Sequence, residues 1–409
     1  MTGPRDTAER LGLMSGVPPF PPRRLVTLAN WQEPPFNRWS FQHVRDLIPT
    51  ARIRRGDGPS RGLPRDERDL SRITFEVGGR AWTVDRMIEQ SYTDGFLVLH
   101  RGRVVTERYF NEMTPDTTHL LMSVSKSVTS TVAGILAGRG ELDPAAPVTD
   151  VVPELAATSF AGATVQHLLD MRTGTRFDET YENVDADVRV YEQVYLWRPR
   201  EGKRLPEDAI GYFATLRNDG KHGGPFRYRS ILTDVLGWVV ERAGGARLPE
   251  LVSRELWRPM GAEFDAEITV DAHGNAMADG GMCATLRDLA RFGQTILRAS
   301  EGRRGIVPPA WIEDTVRGAA DGPRAFAEGD NPPVYPKGAH YRNCWWVRQP
   351  STPFFNASGI NGQNVFVHVP TRTVVAKFST WPTALSPRFS RVTVAGVQAI
   401  AAALDEGRV

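Results

Sequence analysis

Apolar residues in this chain follow two rhythms, and the rhythm changes twice along its length. Between Gly95 and Phe110 they come as short blocks, Phe96-Leu97-Val98-Leu99 and Val104-Val105, parted by Arg101-Gly102. Short apolar blocks around a turn pair predict a β-hairpin. The mostly apolar segment Val128 to Leu136 then predicts a helix that stops near Gly138 and Gly140. From about 141 to 255 helical spacing prevails, at Val165 to Met171, Glu207 to Leu216 and Thr233 to Ala243, with a loop at Gly220, Gly223 and Gly224. Beyond 255 strand patterns return. Asn364 to Val369 and Val374 to Phe378 predict two strands joined by Pro370 to Thr373. Ala284 to Leu297 predicts an amphipathic helix and Thr393 to Leu404 a closing one.

Sheet, helical block, sheet and final helix predict a mixed α/β (α+β) fold. An antiparallel sheet is flanked by helices, with an all-helical domain inserted. The expected boundaries are 71–145 and 256–409 for the sheet domain and 146–255 for the helical one. Residues 1–70 carry Pro18-Pro19, Pro21-Pro22 and Pro34-Pro35, which exclude long regular elements. This stretch is expected to be an arm packed on the sheet domain, with Trp31, Trp39 and Phe41 as anchors.

Composition narrows the function. Fifty Lys plus Arg against 48 Asp plus Glu give a formal net charge of +2 with both signs interspersed. That balance supplies no electrostatic footprint for nucleic acid or an anionic membrane. Cys283 and Cys344 make neither a disulfide framework nor a zinc motif, and the eight histidines form no pair at ligand spacing. No metal or nucleotide cofactor is expected. Neither a signal-peptide run nor an apolar stretch of membrane length is present, so a cytoplasmic enzyme is the expectation.

The chemistry concentrates at Ser123-Val124-Ser125-Lys126, where strand-like sequence gives way to helix. Positions i and i+3 share a helix face, so an amine sits one turn from a hydroxyl. A serine needs a base to become a nucleophile, and a desolvated amine can be one. Arginine cannot serve at neutral pH. The chain has only five lysines, Lys126, Lys203, Lys221, Lys337 and Lys377, and only Lys126 has a serine three residues before it. Tyr228-Arg229-Ser230 follows the glycine loop, and a phenol can relay a proton between a base and a leaving group. Ala357-Ser358-Gly359 leads into the strand at Asn364, where a bare backbone could approach a ligand closely. Taken one at a time, these segments are read more plainly as a solvated helix start, a structural tyrosine and a tight turn.

Together, in this order and approximate spacing, they resemble the serine β-lactamase and penicillin-recognising family. His119 to Ser127, Trp31-Gln32-Glu33-Pro34-Pro35 with Asn37-Arg38-Trp39, and Asn361-Gly362-Gln363-Asn364 are similar to its 6-aminohexanoate-oligomer (nylon-oligomer) hydrolase branch. So are Asp234-Val235-Leu236 with Trp238, and Arg287 to Arg291; the likeness runs from about Trp31 to the last helix. The resemblance implies Ser123 as acylated nucleophile, Lys126 as its base and Tyr228 as proton relay. It implies an oxyanion hole from the N–H groups of Ser123 and Ile360 beside Gly359. Tyr181 would contact the nitrogen side of the scissile amide, and Trp197 and Trp346 would line the cleft, with core packing the competing reading for both. Glu192 and Asp279 would face the cleft and attract a substrate ammonium, against a solvated carboxylate as the plainer role.

Two departures stand out. The family usually has Lys-Thr-Gly where this chain has Ala357-Ser358-Gly359, so the cation that binds a penicillin carboxylate is missing. The tyrosine motif often ends in Asn and here ends in Ser230. The expected activity is cofactor-free hydrolysis of short linear amides through an acyl-enzyme, with a small amide or ester as the partner molecule. A homodimer is left open. A carboxylesterase, a D-aminopeptidase or an acyl-transferring amide synthase could use the same residues, and a sensor without turnover is the reading from another class.

Overall fold

The computed structural model describes residues 3–201, 205–330 and 335–409. The apolar blocks after Gly95 form a hairpin of β1 (Thr93–His100) and β2 (Arg103–Tyr109). Five later strands extend it: β3 (His340–Arg342), β4 (Trp345–Gln349), β5 (Phe354–Gly359), β6 (Gln363–His368) and β7 (Thr373–Ser379). All neighbours pair antiparallel, in the order β2-β1-β7-β6-β5-β4-β3.

Alternation along these strands separates two cores. Leu97, Leu99, Val365, Val367, Val374 and Ala376 face the larger one, while Phe96, Val98, Phe366 and Val375 face the smaller. The larger core takes in α1 (Val124–Gly138), α2 (Ile231–Gly244) and α3 (Leu286–Ser300). The smaller lies under α4 (Pro387–Asp405). A Cβ on Gly293 of α3 would lie 2.5 Å from Val374 and 2.7 Å from Val365, so the bare backbone lets this helix seat directly on β6 and β7. Helix α1 is buried from Val124 through Leu136, and the hydroxyls of its buried Ser127, Ser130 and Thr131 donate to the main-chain carbonyls of Cys344, Asn343 and Ser127.

A second sheet of four short strands runs Thr50–Ile53, Ala266–Thr269, Met282–Ala284, His119–Leu120 in spatial order. It ties the N-terminal segment to the stretch that leads into α1. Arg38 adds a buried ion pair to Asp94 of β1 at 2.8 Å. Trp31 and Phe41 are buried, whereas Trp39 is half-buried and stacks on His43 with ring centroids 4.1 Å apart.

The closing helix starts two turns earlier than Thr393. Ser386 accepts from the Phe389 N–H and Pro387 occupies the first turn, where its missing N–H costs nothing. Strands β3 and β4 were not evident from sequence rhythm. Asn343 and Cys344 join them with φ of +50° and +59°, the two left-handed residues of a type I′ hairpin turn, without the usual glycine.

Candidate active site

Helix α1 begins at a constrained turn. Strand His119–Leu120 ends one residue before Leu121, and Met122 then takes φ of +48°, a value uncommon for a residue with a side chain. That turn sets Ser123 at the cap of α1, half-buried on the cleft wall. One helical turn on, the Lys126 ammonium donates to Ser123 Oγ at 2.9 Å and to the Asp279 carbonyl at 2.8 Å. Its Nζ also lies 3.5 Å from Asp279 Oδ2. The same nitrogen sits 5.2 Å from the ring centroid of Tyr228, whose hydroxyl interacts with both Ser123 and Lys126. One turn of α1 and a tyrosine about a hundred residues later in the chain thus meet at one oxygen.

Electrostatics around that oxygen oppose each other. Burial pulls the Lys126 amine down, but Tyr228, Asp279, Glu179 and Asp234 outweigh it and hold the amine above its ordinary value. Burial pushes the Tyr228 phenol up, with the Lys126 charge opposing in part. Asp234 on α2 accepts from the Asp279 N–H at 3.0 Å, and burial together with Asp279 holds its carboxyl well above the usual carboxylate range.

Ser123 opens on a cleft of about 640 Å³, whose walls include Tyr181, Tyr228, Trp346, Gly359 and Ile360. That volume falls within the usual range for small-molecule sites. Trp346 stacks on Tyr228, with centroids 5.5 Å apart and planes at 21°, and on Tyr335 at 4.8 Å. A Cβ on Gly359 would lie 2.6 Å from the Leu121 carbonyl and 3.0 Å from the Ser123 nitrogen. The glycine therefore lets the end of β5 close on the start of α1. Among the described residues no group of three His, Cys, Asp or Glu side chains is placed to hold a metal ion, and both cysteines are buried free thiols.

The sequence model of the β-lactamase family matches residues 84–398. This chain belongs to the β-lactamase family. A 6-aminohexanoate-dimer hydrolase from Paenarthrobacter ureafaciens is 37% identical over 357 residues, 87% of this chain and 88% of that protein. A solved structure from Bacillus anthracis, provisionally given the same name, superposes with a TM-score of 0.85 at 26% identity, over 95% of this chain and 99% of the other. EstCE1, a hydrolase with promiscuous acyltransferase activity, shares the fold at a TM-score of 0.58 and 19% identity, over 78% of this chain and 96% of its own. The chain is accordingly a hydrolase with the β-lactamase fold. Among the described residues no helix is long and apolar enough to cross a membrane.

Within this β-lactamase-family cleft the residues singled out from sequence separate into two groups. Ser123, Tyr181, Tyr228, Trp346, Gly359 and Ile360 line it, with Lys126 and Asp279 directly behind Ser123. Glu192 and Trp197 do not. The Glu192 carboxylate is buried between Arg189, at 2.9 Å, and Arg198, at 2.5 Å, so its charge is neutralised inside the protein. Trp197 turns into the core, donates to Thr269 Oγ1 at 3.0 Å and packs edge-on against Trp31 at 5.0 Å. It backs the Asp279-Gly280 loop, whose Gly280 would place a Cβ 3.7 Å from its ring. The residue missed from sequence is Glu179. It lines the cleft and binds Tyr181 and Ser230. Its acidic neighbour Asp178 and the turn residue Thr180 gave it no distinguishing pattern.

Proposed function

We propose that this hydrolase cleaves short linear amides, with 6-aminohexanoate dimer as the reference substrate, through a covalent acyl-enzyme on Ser123. One observation carries the reading: Ser123 Oγ, at the cleft wall, is 2.9 Å from a buried lysine amine and in contact with a tyrosine hydroxyl. Similarity to the Paenarthrobacter hydrolase over most of both chains supports the substrate class.

In this mechanism Ser123 Oγ attacks the amide carbonyl while its proton passes to Lys126 in the neutral form. The resulting oxyanion is held by the N–H groups of Ser123 and Ile360. Tyr228 gives its proton to the amide nitrogen and takes the one held by Lys126, the C–N bond breaks, and the product amine leaves with Lys126 neutral again. Water then attacks the ester as Lys126 takes its proton, the acyl C–O bond breaks to release the acid, and Lys126 returns the proton to Ser123 Oγ. Glu328 and Asp330 lie on the cleft wall, as do Arg227 and Arg348. Charges of both signs suit a chain with an ammonium at one end and a carboxylate at the other. Because Ala357-Ser358-Gly359 brings no cation to the end of β5, penicillins should be poor ligands.

The test is a substrate panel of 6-aminohexanoate dimer, short p-nitrophenyl esters, D-Ala peptides and a chromogenic cephalosporin. The expected result is turnover of dimer and esters without cephalosporin hydrolysis. Cephalosporin turnover exceeding that of the dimer would overturn the reading.

A further inference from the structure

Two segments far apart in sequence, Asn37-Arg38-Trp39 and Asn361-Gly362-Gln363-Asn364, meet at one carbonyl oxygen. Asn37 Nδ2 donates to the Trp381 carbonyl at 3.1 Å, and Asn361 Nδ2 donates to the same oxygen at 2.9 Å. The main chain of Asn361 is bound to this segment as well. Its N–H donates to the Ala384 carbonyl at 2.8 Å, and the Trp381 N–H donates to its carbonyl at 3.1 Å. Asn361 and Gly362, in the turn between β5 and β6, take φ of +57° and +95°. A Cβ on Gly362 would run into the Trp381 ring. Asparagine tolerates this left-handed conformation better than most residues with a side chain, but does not impose it. The bonds to Trp381 and Ala384 hold it there.

Asn37 is buried at 1% exposure, and its Oδ1 has no protein partner among the described residues. A buried unpaired acceptor is destabilising, so stability alone does not account for an asparagine at this place. The next residue, Arg38, pairs with Asp94 at 2.8 Å and donates to Thr380 Oγ1, which fixes the arm beside Trp381. We propose that Asn37 is a positioning residue for the oxyanion hole: through the Trp381 carbonyl and Asn361 it holds the turn that presents the Ile360 N–H. A donor stabilises developing charge best when it is aimed before the charge appears. The Ser123 N–H is aimed by the start of α1. The Ile360 N–H belongs to a three-residue turn whose left-handed backbone depends on outside support. The inference rests on the acyl-enzyme reading above, and it gives the N-terminal arm a part in catalysis.

Asn37→Leu is the discriminating variant, because leucine has nearly the same shape and removes both the donor and the unpaired acceptor. Asn361→Gly removes the second donor to Trp381 and keeps the left-handed backbone available. The assay measures kcat and KM for 6-aminohexanoate dimer and for the p-nitrophenyl ester of 6-aminohexanoate, per site titrated with a fluorophosphonate. Loss of an oxyanion donor costs about 10²–10³-fold, and loosening its support should cost less, about tenfold in kcat. Each variant should show that loss on both substrates, since both form the oxyanion, with KM little changed. The thermal midpoint of Asn37→Leu should stay near that of the parent. An unchanged kcat per titrated site, a loss confined to one substrate, or a rise in KM alone would overturn the proposal. So would a lowered midpoint with kcat intact, which would make Asn37 purely structural. If Asn37→Leu fails to fold, Asn37→Ala decides through the same measurements. Labelling of the parent enzyme keeps the two readings apart. No fluorophosphonate adduct on Ser123 contradicts the acyl-enzyme, whereas an adduct with an unchanged kcat contradicts only the role of Asn37.

Discussion

Lys126 and Lys377 are both buried, at 1% and 0% exposure, and their surroundings drive them in opposite directions. Lys377 stands on β7, on the face that packs under α4. Its amine donates to Ser379 Oγ and lies 5.9 Å from the Trp381 ring centroid. The acidic group acting on it is Asp94, which already pairs with Arg38 and Thr380. Burial prevails there and brings the amine down to about 7. Around Lys126 the phenol of Tyr228 and three carboxylates reverse the same burial and favour the cation. Burial alone makes a neutral amine, and the neighbours decide whether it stays neutral. In the proposed mechanism Lys126 is therefore a base that must first lose a proton, while Lys377, away from the cleft, is held much closer to the neutral form.

The contrast breaks most readily at Lys126 itself. A guanidinium keeps the charge but cannot act as a base near neutrality. Lys126→Arg should therefore lose amide turnover about as fully as Lys126→Ala, on the order of 10²–10⁴-fold or more. Substantial activity in the Arg variant would make Lys126 an electrostatic anchor. Tyr228→Phe comes next. Expelling an amine requires a proton at nitrogen, whereas p-nitrophenolate leaves without one. Amide turnover should fall by about 10²–10⁴-fold and p-nitrophenyl ester turnover far less. Equal losses would move Tyr228 to the activation of Ser123.

A subtler change sharpens the comparison. Asp279→Asn removes one of the charges that raise Lys126 while keeping the main-chain carbonyl that binds it. Because the neutral amine is the reactive form, the acid limb of kcat/KM should move to lower pH, by about one unit for a charge at this distance. A shift to higher pH would contradict the electrostatic account.

The smallest expected effect is at Lys377 and touches stability rather than rate. Its folded-state amine titrates near 7 against 10.5 for the ordinary side chain. Between those values the unfolded chain binds the extra proton, so the cost of burial is complete below about pH 7 and is relieved as pH rises to 10.5. Lys377→Met should raise the thermal midpoint at pH 7, and the gain over the parent should shrink towards pH 10. A gain independent of pH would mean that Lys377 is not the source of the penalty.

Much of this arrangement could be read from sequence, for identifiable reasons. Ser123 and Lys126 are neighbours on one helix, so their spacing alone brings them together. Strands β1, β6 and β7 are apolar on both faces because each face meets a core, and their blocks stand out. Glu179 was not legible, since its partner Ser230 lies 51 residues away and the turn that carries it has no rhythm. Resemblance alone places Glu192 and Trp197 at the cleft. What sequence could not convey is that Arg189 and Arg198 close on Glu192 and that Thr269 and Trp31 hold Trp197 inward. Distant partners turn Trp197 inward, whereas Glu192 is held by two arginines only three and six residues away.

The acyl-enzyme itself is the claim on which the rest depends. Rapid mixing with the p-nitrophenyl ester of 6-aminohexanoate, quenching in acid and peptide mass mapping would test it directly. A 6-aminohexanoyl mass increment should appear on the peptide containing Ser123 within the first turnover and be absent from Ser123→Ala. Full turnover by the parent enzyme with no increment on that peptide, or an increment on another residue, would contradict it.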